Sequence, residues 1–167
     1  LTHAQTSTLF WVNAALCSTV ALVTAALAPA FAWFYGDSRL LGITCAIALL
    51  PFVDGLAVLH EALLKRQMRF PSLALVDSAS LSTGFVAAVI LAWLGAGYWA
   101  LVAEEIVYSV VSAALVWSAC RWRPGAPRRG TGIRPMVSFG LNLSGFRVLD
   151  YAAMNLDTVF VGRFWGA

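Results

Sequence analysis

The chain alternates between long apolar stretches and short polar turns, and that alternation predicts a set of helices rather than strands. Residues 4–36 carry no charge, and the run from Leu9 to Tyr35 is long enough to cross a bilayer core, which takes about 20 apolar residues. Asp37-Ser38-Arg39 forms a polar turn. A second apolar segment runs from Leu40 to about Leu64, a third from Leu73 to Leu94, and a fourth from Tyr98 to Cys120. A fifth, less apolar, spans Pro135 to Val161. The expected fold is therefore all-α, a polytopic transmembrane bundle with about five membrane-spanning helices.

Composition agrees with that pattern. Hydrophobic residues make up 60% of the chain and charged ones 11%, too little charge to cover the surface of a water-soluble fold. Facing lipid, a helix can be apolar all round. The net charge of +3 does not point to nucleic acid, because the basic residues sit in short turns between apolar runs. Lys65, Arg66 and Arg69 fill one turn; Arg121, Arg123, Arg128, Arg129 and Arg134 fill another. Two crossings separate these turns, so they share a side, and the opposite turns hold Arg39 alone. That bias places the basic turns in the cytoplasm. The Gly/Pro-rich stretch 121–134 is also the best boundary in the chain.

Trp11, Trp33, Trp93, Trp99, Trp117 and Trp122 fall near segment ends, as interfacial aromatic residues do. Pro29 and Pro51 lie inside apolar segments. Cys17, Cys45 and Cys120 have no metal-ligand or CxxC spacing and read as packing residues. With no initiator Met and no basic leader, the chain reads as an internal piece of a longer protein.

Ionisable groups inside a membrane segment cost about 2.5–3.5 kcal/mol each on insertion scales and turn toward a bundle interior or a watery cavity. Arg147, Asp150 and Asp157 share one helical stripe in the fifth segment. They read either as mutually neutralising charges or as a wall meeting an anionic substrate or a proton. Asp54 lies deep in the second segment, seven residues before Glu61, which pairs with Lys65 at i, i+4. His60 reads as a packing residue or as a proton relay. Asp77, Glu104 and Glu105 fall closer to segment ends. No nucleophile–base pair, HExxH or phosphate loop is present, so nothing in the sequence calls for an enzyme, a cofactor or a metal.

Several stretches carry a resemblance. Leu1-Thr2-His3-Ala4-Gln5-Thr6-Ser7-Thr8-Leu9-Phe10-Trp11, Ala62 to Phe70, Gly95-Ala96-Gly97-Tyr98-Trp99-Ala100-Leu101-Val102 and Trp122-Arg123-Pro124 resemble the Wzx-type flippases of bacterial polysaccharide biosynthesis. So do Phe139-Gly140, Asn155-Leu156-Asp157 and Val161-Gly162-Arg163, so that the ordered match covers essentially the whole chain. That family belongs to the multidrug/oligosaccharidyl-lipid/polysaccharide exporter superfamily. The resemblance implies two lobes working by alternating access. Residues 1–120 would supply the third to sixth helices of the first lobe, 121–134 the basic inter-lobe loop, and 135–167 the first helix of the second lobe.

The implied task is flipping an undecaprenyl-diphosphate-linked oligosaccharide across the bacterial inner membrane, with a polysaccharide polymerase and glycosyltransferases as pathway partners. Membrane lipids are the surroundings. Arg147 is then the candidate for the diphosphate or sugar, with Asp150, Asn155, Asp157 and Asp54 lining the cavity. Asp157, Asp54 and His60 are the proton-coupling candidates. A drug or small-molecule antiporter of the same superfamily is the alternative, and a membrane-embedded envelope-assembly enzyme the more distant one.

Overall fold

The computed structural model describes residues 2–127, together with 132, 135–138, 140, 144, 145, 150, 151 and 154. No strand occurs among them. The helices are α1 (His3–Tyr35), α2 (Arg39–Ile47), α3 (Leu50–Arg66), α4 (Phe70–Trp93) and α5 (Trp99–Ala119). Four stretches are long and apolar enough to cross a membrane: α1, α2 with α3, α4 and α5. The chain is thus an all-α, multi-pass membrane protein. The fifth segment predicted from sequence falls largely outside the described residues; 135–138, 140, 144, 145, 150, 151 and 154 are helical.

Local chemistry sets the helix ends. Thr2 caps α1 in a reciprocal box with Gln5: the Gln5 backbone N–H donates to the Thr2 hydroxyl at 3.3 Å, and the Thr2 N–H to the Gln5 side chain at 3.0 Å. Gly36 closes the other end in the left-handed region at φ 73°. Helix α4 ends on Gly95 at φ 82°, with the Ala96 N–H reaching back to the Leu91 carbonyl. The end of α3 has the same construction, the Arg69 N–H bonding to the Leu64 carbonyl, but Met68 occupies the left-handed position at φ 55°.

The second segment, expected as one helix, is two. Pro51 has no N–H to offer Ile47, and its ring crowds that carbonyl. The helix yields at Ala48 and Leu49, and the Phe52 N–H bonds only three residues back, to Leu49, at 3.2 Å. With the turn placed there, Pro51 sits in the first turn of α3, where a missing N–H is harmless.

Packing is by small residues, as expected where lipid tails remove the hydrophobic drive between helices. Helix α4 presents Val76, Ser80, Gly84 and Ala88, every fourth residue, to α5. A Cβ added at Gly84 would lie 3.0 Å from the Glu104 carbonyl. Gly55 lets α3 approach α1 so closely that a Cβ there would meet Cys17 at 2.6 Å. Large apolar side chains point outward instead: Leu22, Leu75, Phe85, Trp33 and Trp93 are all exposed, as lipid or further protein requires.

The tryptophans divide. Trp33 and Trp93 are almost fully exposed at helix ends, in keeping with an interfacial belt. Trp117 and Trp122 do not join that belt. They pack with Phe10 and His60 in an aromatic cluster between α1, α3, α5 and the segment after α5. The segment after α5 folds back over the helix ends, which apolar periodicity cannot register.

Candidate functional site

Asp54 stands on α3 one residue before the tight Gly55 crossing, and its carboxylate accepts a hydrogen bond from the Ser109 hydroxyl on α5. Asn13 on α1 donates to the Gly55 carbonyl at 2.8 Å, so three helices contribute polar groups at one level. Asp54 is nonetheless exposed in this bundle. A carboxylate on an outer face of a membrane helix must look onto water or other protein rather than lipid. The carboxylates of Asp54, Glu61, Asp77 and Glu105 all lie within electrostatic reach of the Tyr108 hydroxyl. Tyr108, Glu104, Glu105 and Leu81 line a pocket of about 110 Å³ between α4 and α5. Sequence spacing had set Asp77, Glu104 and Glu105 apart as near-terminal groups. Helix pairing sets Glu104 and Glu105 against Leu81 of α4, which no single-helix wheel reveals.

The basic residues gather at the other level. Arg69 donates to the Ala119 carbonyl at 3.1 Å, and Arg123 donates to the carbonyls of Trp117 and Cys120 at 3.0 and 2.8 Å. The two basic turns therefore lie at one end of the bundle, as the loop charges predicted. Both arginines supply donors to the last carbonyls of α5, where a cation also suits the helix dipole. Lys65 pairs with Glu61 at 3.3 Å, as the i, i+4 spacing predicted. Arg66 and Arg121 are exposed. Arg128, Arg129 and Arg134 lie outside the described residues.

His60 is fully buried, stacked on Trp117 with ring centroids 4.3 Å apart and packed edge-on against Phe10. Its Nδ1 lies 3.2 Å from the Leu56 carbonyl, which also accepts the Trp117 indole N–H at 2.9 Å. Of the other predicted site residues, Asp150 is helical and exposed. Arg147, Asn155 and Asp157 lie outside the described residues. Sequence reasoning did not single out Tyr108 and Ser109, which the helix packing places beside the carboxylates; an adjacent pair of hydroxyl side chains in an apolar helix was the available signal.

Residues 1–167 match the family described as "Polysaccharide biosynthesis protein". Among curated proteins, the chain is 25% identical over 170 residues to the teichuronic acid biosynthesis protein TuaB of Bacillus subtilis, covering 99% of this chain and 35% of that protein. It is 27% identical over 158 residues to the succinoglycan biosynthesis transport protein ExoT of Rhizobium meliloti, covering 94% of this chain and 32% of the relative. It is 21% identical over 173 residues to the lipopolysaccharide biosynthesis protein WzxC of Escherichia coli, covering 100% and 34%. The chain thus spans about a third of the length of these relatives. No solved structure matches.

Proposed function

The chain belongs to the polysaccharide biosynthesis protein family, and from that premise we propose that the whole protein flips an oligosaccharide linked to undecaprenyl diphosphate across the bacterial inner membrane. The observation that carries this reading is the family match over residues 1–167, joined to four membrane-crossing stretches. A relative named for succinoglycan transport supports carriage rather than synthesis. The protein performs no covalent chemistry. It works by alternating access between two lobes, with residues 1–120 in the first, 121–134 as the connection and 135–167 opening the second.

A diphosphate head cannot enter hydrocarbon with its water, so the two lobes must offer a polar path in its place. The basic end of the bundle faces the cytoplasm, where the anionic head is first met. Since Arg69 and Arg123 hold the end of α5, Arg66 and Arg121 are the groups of residues 2–127 left to attract that head. Arg147, with Asp150, Asn155 and Asp157, lines the path from the second lobe. Asp54 lines it from the first and, with Asp157, exchanges the coupling proton.

A small-molecule antiporter of the same superfamily is the second reading, and the acidic wall around Tyr108 is what favours it. Substitution of Arg147 tests the path, and deletion of the gene separates the two readings. In the full-length protein, Arg147→Ala abolishes surface polysaccharide while the amount of protein in the membrane stays the same. Normal polysaccharide in that variant removes Arg147 from the path. Unchanged polysaccharide on deletion of the whole gene, with altered drug tolerance, establishes the antiporter instead.

A further inference from the structure

Two buried polar atoms in the aromatic cluster lack a hydrogen-bond partner among the described residues: His60 Nε2 and Trp122 Nε1. They belong to neighbouring rings, whose centroids are 5.3 Å apart. Their chemistry is complementary. The Leu56 carbonyl can only accept, so its contact with Nδ1 puts the proton of neutral His60 on that nitrogen and leaves Nε2 with a lone pair. The Trp122 indole can only donate. A buried donor and a buried acceptor, side by side and both unmatched, satisfy one another with a small rotation of the indole or through one water molecule.

The position of the pair gives this contact a consequence. Trp122 is on the segment leading out of α5, and that segment is tied down at two further points. The Gly125 N–H donates to the Ser7 hydroxyl at 3.0 Å, and the Trp11 indole donates to the Gly125 carbonyl at 2.9 Å. Both anchors are on α1, whereas His60 is on α3. We propose that residues 120–127 form a latch over the ends of α1, α3 and α5, closed by a hydrogen bond from the Trp122 indole to His60 Nε2. The latch fixes where the chain beyond residue 127 departs from the bundle. It stands whether or not the whole protein carries a lipid-linked sugar.

The Trp122 carbonyl is the rival partner for the ring, since it too faces His60. It would need a proton on Nε2, and it already accepts from Arg123 at 3.0 Å. A side-chain substitution that leaves the backbone intact distinguishes the two.

Cys120 reports the state of the latch. Its thiol is buried in a cluster with Leu64, Val76 and Val116, against which Trp122 packs. In the full-length protein in native membrane vesicles, with Cys17, Cys45 and every cysteine outside residues 1–167 replaced by Ser, the rate of maleimide labelling at Cys120 measures how often the segment lifts. Trp122→Phe keeps the ring but strands the His60 lone pair, and His60→Phe strands the indole N–H. Each raises the labelling rate roughly tenfold, because an unmatched buried group is worth more than the net bond. The double variant His60→Phe/Trp122→Phe strands nothing and returns the rate to within about threefold of the parent.

An unchanged rate in Trp122→Phe assigns the contact to the Trp122 carbonyl and overturns the proposal. Multiplying effects in the double variant overturn it as well. Should a single variant fail to reach the membrane, the double variant decides: recovery of the parent level supports the matched pair, and continued loss refutes it.

Discussion

The guanidinium of Arg69 donates across 3.1 Å to the carbonyl of Ala119, joining the turn between α3 and α4 to the last turn of α5. A residue expected from loop charge to greet an anion is thus also a helix cap. The bond is charge-assisted but exposed, so it contributes about 1 kcal/mol rather than the larger values of buried pairs. Arg69→Ala should lower the thermal unfolding midpoint of the detergent-solubilised full-length protein, with Arg69→Lys in between. Arg66→Ala, which removes an equal charge from the same turn without touching α5, should leave the midpoint unchanged. Equal effects from Arg66 and Arg69 would mean that charge density, not the cap, is what matters.

Met68 offers a test of backbone strain. It occupies at the end of α3 the left-handed position that Gly95 occupies at the end of α4, with φ 55° against 82°. A side chain in that region costs about 1–2 kcal/mol, which glycine avoids. The Met68 side chain is 72% exposed, so little packing is lost with it. Met68→Gly is therefore expected to stabilise the full-length protein by about 1 kcal/mol, after the added freedom of glycine in the unfolded chain is offset. A lower unfolding midpoint would show that the methionine makes contacts that outweigh its strain.

For Asp54, structure and charge can be separated. Asn at this position still accepts the Ser109 hydroxyl but cannot take or release a proton. Asp54→Asn should keep the membrane level and unfolding midpoint of the parent while surface polysaccharide is lost. Ser109→Ala should weaken the α3–α5 contact by about 1 kcal/mol and leave export measurable. Normal export by Asp54→Asn would reduce Asp54 to a packing partner of Ser109.

The helices were legible in the sequence because each crossing stretch is bounded by its own charges and glycines: Gly36 and Asp37, Lys65 to Arg69, Gly95. Glu61 and Lys65 were legible for the same reason, since one helix turn determines their distance. The acidic wall around Tyr108 was not. Asp54, Asp77 and Glu105 lie on three helices, and no single-helix pattern tells how α3, α4 and α5 pair; the α4–α5 approach, for one, depends on Gly84 lying against Glu104 and Tyr108. The aromatic cluster was hidden more thoroughly. Trp117 and Trp122 occupy the sequence positions of interfacial residues, and nothing in a local pattern distinguishes an indole facing headgroups from one under a folded-back segment.

The break between α2 and α3 falls between these cases, because its cause was visible and its form was not. Pro51 predicts a disturbed ladder, yet the helix could have bent around it with neighbours supplying the missing bonds. Instead two residues leave the helix at 48 and 49. Two explanations compete: the proline itself, or the packing of α2 and α3 as separate helices against α1 and α5. Pro51→Ala decides between them. If the proline is the cause, the alanine restores an N–H to the Ile47 carbonyl and lets the helix run through. Deuterium uptake over 47–53 should then slow by about fivefold, the effect of a regained bond near 1 kcal/mol. If uptake over these residues stays at the parent rate, tertiary packing holds the break open and Pro51 merely occupies a position already made for it.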